Sequence, residues 1–282
     1  MESSSSRVAA EELRRAYETV LSLARRLEGR VSVADGTVIA YTRGAEPPAS
    51  ILYISSLHAG LDVALASATE LSLHIVPYRE LRSAVIFSYK QRDSRAVSSA
   101  IASSIMGAKT VLVSPTMPEA YEEKLRIHGV ERVAVDSPSP LLAMSVAAAL
   151  WSPRMMGARE ERVRAELRAL DTALDWVLEK YSFVAERGYE TAVYSPATAA
   201  GAYYYCASTR SCAPLPLDAL EDYVPRGRLL AMLTTLERRE YEESLRAAKS
   251  KTEVDVVEFN VDPVTASLYS VLVALVAARR AI

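Results

Sequence analysis

The sequence predicts a doubly wound α/β protein, on three observations. Short runs at 84–88, 110–114 and 132–136 have uninterrupted apolar centres, the pattern of strands buried on both faces of a parallel sheet. Stretches with helical periodicity, near 94–106 and 118–128, separate them as right-handed parallel crossovers require. The same alternation resumes after residue 190, so the chain reads as two α/β/α halves with mainly parallel sheets, preceded by an N-terminal helix and a hairpin.

Taken in order, Val8, Leu13, Tyr17, Val20, Leu21, Ala24 and Leu27 recur at helical spacing, and Gly29 stops that helix. Runs 31–33 and 38–41 flank Asp35-Gly36, a hairpin signal. Glu46-Pro47-Pro48 reads as a linker, after which 51–55 is expected as a strand, 62–71 as a helix and 73–76 as a second strand. The strands at 84–88, 110–114 and 132–136 follow, and an Ala-rich helix over 141–151 closes the first half. Pro153 to Gly157 break the chain, and a long charged helix over 159–187 leads to a strand at 191–195. Helix 197–206, strand 228–234, helix 238–249, strand 254–259 and helix 264–280 complete the second half. The expected units are therefore 1–29, 30–152 and 153–282. Residues 264–278 carry no charge, but a membrane span needs about 20 residues, so this reads as a core or subunit-interface helix.

Half of the 282 residues are hydrophobic, and 33 basic residues nearly cancel 35 acidic ones to leave a net charge of −2. Such a balance argues against disorder and against a polyanion-binding surface, so no nucleic-acid partner is expected. The first residues are Ser-rich and soon charged, at Glu11 and Glu12, which points to the cytoplasm. Gln91 and Asn260 are the sole side-chain amides, a composition that fits a thermophilic source. In that setting Cys206 and Cys212, six positions apart, are expected to form a disulfide. Two cysteines alone make no structural zinc site, and no metal or cofactor is expected.

Ligands of open parallel sheets bind beyond the carboxyl ends of the strands. Three first-half loops qualify on this reading: Ser55, Ser56, His58 and Gly60; Ser88, Tyr89, Lys90, Arg92 and Ser94; and Ser114 with Thr116. Each starts with Ser and leads towards a helix start, where free N–H groups favour an anion. Leu52-Tyr-Ile-Ser-Ser56, Ile86-Phe-Ser-Tyr89 and the two-half layout resemble the sugar isomerase (SIS) domain proteins, nearest the archaeal bifunctional phosphoglucose/phosphomannose isomerases. The resemblance implies a homodimer, with the uncharged C-terminal helix (Leu268, Leu272, Val273, Leu275) at or near the interface, and a sugar phosphate or other carbohydrate derivative as ligand.

The motifs are degenerate. Where that family has a glycine-rich first loop, this chain has Ser56-Leu-His-Ala-Gly60, and where it reads Ser-Tyr-Ser-Gly-Asn-Thr, this chain reads Ser88-Tyr-Lys-Gln-Arg-Asp93. Lys90 and Arg92 suit an anion, whereas Asp93 at the helix cap would take the N–H groups a phosphate needs; an ordinary capped helix is the competing reading. The family draws a Glu and a His from the second half, yet no His follows His128. Three functions stay open: a carbohydrate binder without standard isomerase activity, which leads; an active isomerase with His58 opening the ring and Glu221 moving the proton; and a non-catalytic structural subunit.

Overall fold

The structure, a computed structural model, describes residues 4–209 and 212–278. Helix α1 (Ser4–Arg26) leads into strand β1 (Thr37–Tyr41), helix α2 (Glu46–His58) and strand β2 (Val63–Ser67). The short α3 (Ala68–Glu70) precedes β3 (Ser83–Phe87), α4 (Ser94–Ile105), β4 (Lys109–Ser114), α5 (Glu119–Ile127), β5 (Glu131–Ala134) and α6 (Pro140–Leu150). Helices α7 (Ala158–Arg168) and α8 (Leu170–Lys180) connect to β6 (Thr191–Tyr194), α9 (Ala199–Ser208) and β7 (Ala213–Pro216). Strand β8 (Leu229–Thr234), α10 (Glu242–Lys249), β9 (Val254–Phe259) and α11 (Pro263–Ala278) finish the chain. Two parallel sheets result, in the orders β2-β1-β3-β4-β5 and β7-β6-β8-β9. The α/β class with two parallel sheets is therefore as the sequence predicts.

Several early elements differ from the expectation. Gly36 does form a turn, at φ +79°, but residues 31–34 extend no strand. Thr37 to Tyr41 instead lie in the first sheet's interior, paired in parallel with both β2 and β3. The reason is burial: Val38, Ile39 and Ala40 are covered on both faces, which suits a central strand and no solvent-facing hairpin. Residues 51–55 are not a strand but the middle of α2, which Pro47 and Pro48 open at the positions where proline suits a helix start. Packed against α6, α9 and α11, this helix is buried nearly all round, so its apolar residues show no one-sided periodicity. Of residues 62–71, Val63–Ser67 form the edge strand β2 and only Ala68–Glu70 and Leu71 are helical, and 73–76 fall in and just after a wide helical turn, Leu71–Ile75, where Val76 N–H bonds to Leu71 C=O at 2.9 Å. The long helix breaks at Ala169 into α7 and α8. Strand β7 escaped sequence reading because Pro214 and Pro216 suit only an edge strand.

One apolar cluster runs from Tyr17 on α1 through α2, α6, α8 and α9 to Ala278 on α11 and fills the space between the sheets. Smaller clusters lie under α4 and α5 on the first sheet's other face, and under α10 on the second's. Helix α11 sits inside the large cluster: Leu268, Leu272 and Val273 are wholly buried within the single chain and so are core residues, while Leu275 is partly buried against the cluster. The uncharged helix finds its cover in α2, α6, α8 and α9. Gly201 lets α9 approach α11 closely, since a Cβ there would stand 2.5 Å from Ser270 Cβ. Cys206 and Cys212 are joined in a disulfide with Cα atoms 4.7 Å apart. No helix among the described residues is long and apolar enough to cross a membrane.

Candidate functional site

Strand order in the first sheet reverses between β1 and β3, which opens a crevice at their carboxyl ends. The loop after β1 is Thr42-Arg-Gly-Ala45. Thr42 donates its N–H to Phe87 C=O at 3.0 Å, while its hydroxyl is buried without a hydrogen-bond partner. Gly44, at φ +92°, lies under the Tyr89 ring so closely that a Cβ would meet it at 2.5 Å. The Gly44 N–H is taken by Glu46 Oε2 at 2.6 Å, and burial pushes the Glu46 carboxyl above its ordinary pKa.

Across the crevice, Ser88 is fully buried and donates to Asp93 Oδ2 at 2.8 Å. Asp93 Oδ1 accepts Ala96 N–H at 3.2 Å and so caps α4. Lys90 and Arg92 are exposed, as is Arg43 in the β1 loop, with the Lys90 ammonium 5.6 Å from the Tyr89 ring centroid. Ser94 is exposed on the first turn of α4. Thr116 is committed elsewhere: its N–H and hydroxyl both bond to Asp136 at 2.7 Å, and the hydroxyl is the main cause of a lowered Asp136 pKa. Ser114 is buried and its C=O accepts Val135 N–H at 2.9 Å.

The remaining expected loop is not at a strand end. Ser55 and Ser56 sit inside α2, both bonding back to Leu52 C=O at 2.9 and 2.7 Å, and Gly60 lies just beyond that helix at φ +83°. The loop expected there is instead Thr42 to Ala45, one element earlier. Its signal was present, a glycine between an apolar strand and a Pro-Pro helix start.

His58, at the end of α2, meets the second half. Arg159 Nη2 stands 2.9 Å from His58 Nδ1, and Arg159 grips Asp262 through Nε at 2.8 Å and Nη2 at 2.9 Å. Burial, then the Arg159 charge, lowers the His58 pKa. Glu221, by contrast, accepts Ser244 Oγ at 3.1 Å against α10. His58's charged neighbours are Arg159, Asp262 and Glu237, so the structure does not bring His58 and Glu221 together.

In the second sheet the order reverses between β6 and β8. Here Glu237, from the turn after β8, accepts Ser195 Oγ at 2.7 Å, Thr234 N–H at 3.0 Å and Thr234 Oγ1 at 2.7 Å on one oxygen, and Ala197 N–H at 3.3 Å on the other. Thr198 turns inward and donates to Met232 C=O at 2.6 Å. Among the described residues no cluster of His, Cys, Asp and Glu suits a metal ion.

With both mouths defined, the chain can be set beside solved structures. A Bacillus subtilis protein assigned as a phosphosugar isomerase is similar at 14% identity and a TM-score of 0.67, over 92% of this chain and 90% of that one. The glucosamine-6-phosphate deaminase of Thermotoga maritima is similar at 13% identity and 0.61, over 96% and 94%. The tagatose-6-phosphate ketose/aldose isomerase of Escherichia coli is similar at 11% and 0.58, over 96% and 87%. This chain has the sugar isomerase (SIS) fold. Neither a protein-family model nor a curated protein matches the sequence. The likeness is one of architecture, and within the SIS fold this chain's two mouths are lined by its own carboxylates, Asp93 in the first and Glu237 in the second.

Proposed function

We propose that this protein binds a sugar phosphate, or another carbohydrate derivative, at the mouth of its first sheet, without standard aldose–ketose isomerase turnover. The observation that carries the reading is the contrast between the first mouth, with a buried, unpartnered Thr42 hydroxyl and exposed Arg43, Lys90 and Arg92 on its two loops, and the second, where Ser195, Ala197, Thr198 and Thr234 all donate within the chain. Arg43, Lys90 and Arg92 supply the charge an anionic ligand needs, and Tyr89 supplies a ring face for a sugar. The similar SIS-fold structures named for sugar-phosphate reactions agree with the ligand class. Against turnover stands the separation of His58, held by Arg159, from Glu221, held to Ser244. The homodimer that the resemblance implies would bury surface other than Leu268, Leu272 and Val273, which the single chain already covers.

The test is a thermal-shift screen of the full chain with sugar phosphates and nucleotide sugars. A specific ligand at 100 times its dissociation constant stabilises the native state by about 2.7 kcal/mol. Replacing Arg43, Lys90 and Arg92 by Ala is expected to abolish that shift, and Asp93→Thr to tighten phosphate binding roughly two- to fivefold by removing a competing charge from the helix start. Fructose 6-phosphate to glucose 6-phosphate conversion at about 1 s⁻¹ or faster would promote the isomerase reading. Silence across the screen would leave the structural subunit.

A further inference from the structure

Glu237 stands apart among the carboxylates at the strand ends. Asp93 takes one hydroxyl and one N–H, and Asp136 serves one residue, Thr116. Glu237 collects two main-chain N–H groups and two hydroxyls from three residues on both sides of the strand reversal. Ser195 and Thr234 are fully buried and Ala197 nearly so, so these donors have no recourse to bulk water. Glu237 forms no salt bridge with any described residue; its hydrogen-bond partners are all neutral dipoles, and His58 lies among its longer-range neighbours. Inward-pointing N–H groups and hydroxyls, converging on a single negative charge at a strand reversal, are the donor set by which α/β proteins hold oxyanions.

We propose that Glu237 is a built-in anion: its carboxylate fills the position at which the second mouth would hold a phosphate or similar oxyanion, making the second half an anion site closed by the chain itself. The donors are laid out for a negatively charged oxygen group, and the side chain reaches them from the surface turn at residues 235–240, being itself only half-buried. Removing it leaves four donors facing a space open to the mouth, where a small tetrahedral oxyanion regains the same bonds. Glu237→Gln fills that space with a neutral amide and keeps it closed. The inference stands whatever the first mouth binds, because it concerns a different strand pair and different donors.

The experiment compares wild type, Glu237→Ala and Glu237→Gln as full chains, at fixed pH and ionic strength, with inorganic phosphate against chloride. Calorimetric titration and thermal unfolding are read together. Glu237→Ala is expected to take up one more phosphate per chain than wild type, with a melting temperature that climbs with phosphate concentration beyond any climb in wild type. Adding Ser195→Ala to Glu237→Ala is expected to remove that extra site, while Glu237→Gln behaves as wild type. Phosphate bound at the first mouth appears in every variant and cancels in the comparison. If Glu237→Ala folds and gains no phosphate site, Glu237 is an ordinary structural cap and the proposal is overturned. If it does not fold in chloride, it is refolded from urea in phosphate: recovery in phosphate alone supports the proposal, and failure in both salts overturns it.

Discussion

Arg159 holds Asp262 through two hydrogen bonds of 2.8 and 2.9 Å and reaches His58 Nδ1 with the same Nη2 at 2.9 Å, so one guanidinium ties the end of α2 to the start of α11. Asp262 also caps α11, accepting Val264 N–H at 3.1 Å. A guanidinium has only donors, so His58 accepts at Nδ1 and carries its proton on Nε2.

Asp262→Ala therefore removes a helix cap and leaves a half-buried cation unpaired. The expected loss is about 2 to 3 kcal/mol of unfolding free energy, measured by urea denaturation at neutral pH. A change below about 0.5 kcal/mol would show that the pair is solvated and idle.

The same contact makes stability depend on pH. Burial and the Arg159 charge lower the folded-state pKa of His58, so the unfolded chain takes up its proton near the ordinary value of 6.5 while the folded chain does not. Stability is expected to fall as the pH drops below about 6.5, until the folded-state pKa is passed. Asp262, whose pKa is lowered chiefly by the Arg159 hydrogen bond against the opposing effect of burial, adds a further loss in the carboxylate range as acid protonates it. His58→Gln is expected to flatten the curve near pH 6 and leave the acid limb, and a wild-type curve flat from pH 7 to 5 would contradict this.

Gly201→Ala places a methyl 2.5 Å from Ser270 Cβ and 2.6 Å from the Ser270 main chain, where no flexible side chain can yield. A cost of about 1 to 3 kcal/mol is expected. Gly188→Ala, with nothing within 4 Å, is the matched control and is expected to stay within about 0.5 kcal/mol of wild type.

The Cys206–Cys212 bridge closes a short loop, and the loop-entropy relation gives about 2 kcal/mol for one of this length. Alkylation under native, non-reducing conditions is expected to find no free thiol, and reductant to lower the melting temperature. Two reactive thiols without reductant would refute the bridge.

Strands β3, β4 and β8 were legible because each has a continuous apolar run, and β9 because β-branched Val254, Val256 and Val257 with Phe259 dominate it. The opening of the first half was not. Ile51 to Ser55 looks like a strand because α2 is buried on nearly every side and offers no polar face to mark its turns. Val63 to Ser67 looks like a helix because Ala64, Leu65 and Ala66 are strong helix formers, and only pairing at the sheet edge makes the segment a strand. That displacement carried the first ligand loop from Thr42 and Gly44 to Ser55 and Ser56. The Ser88 to Asp93 loop was found in place, cap included, because its strand was read correctly. Glu237 was missed because its meaning depends on Ser195, 42 positions away, and no local pattern announces such a pairing.

Helix α11 carries a consequence for how the chain is made. Every helix that surrounds it, α2, α6, α7, α8 and α9, precedes it in the sequence, so a nascent chain emerging from the ribosome exposes their inner faces until residue 278 is free of the exit tunnel. Neither sheet owns a complete interior of its own. Unlike a string of modules that fold one after another during synthesis, this protein closes its centre only after translation has passed its last core helix, and a stalled or truncated product ending before Pro263 would be a substrate for chaperones and proteases.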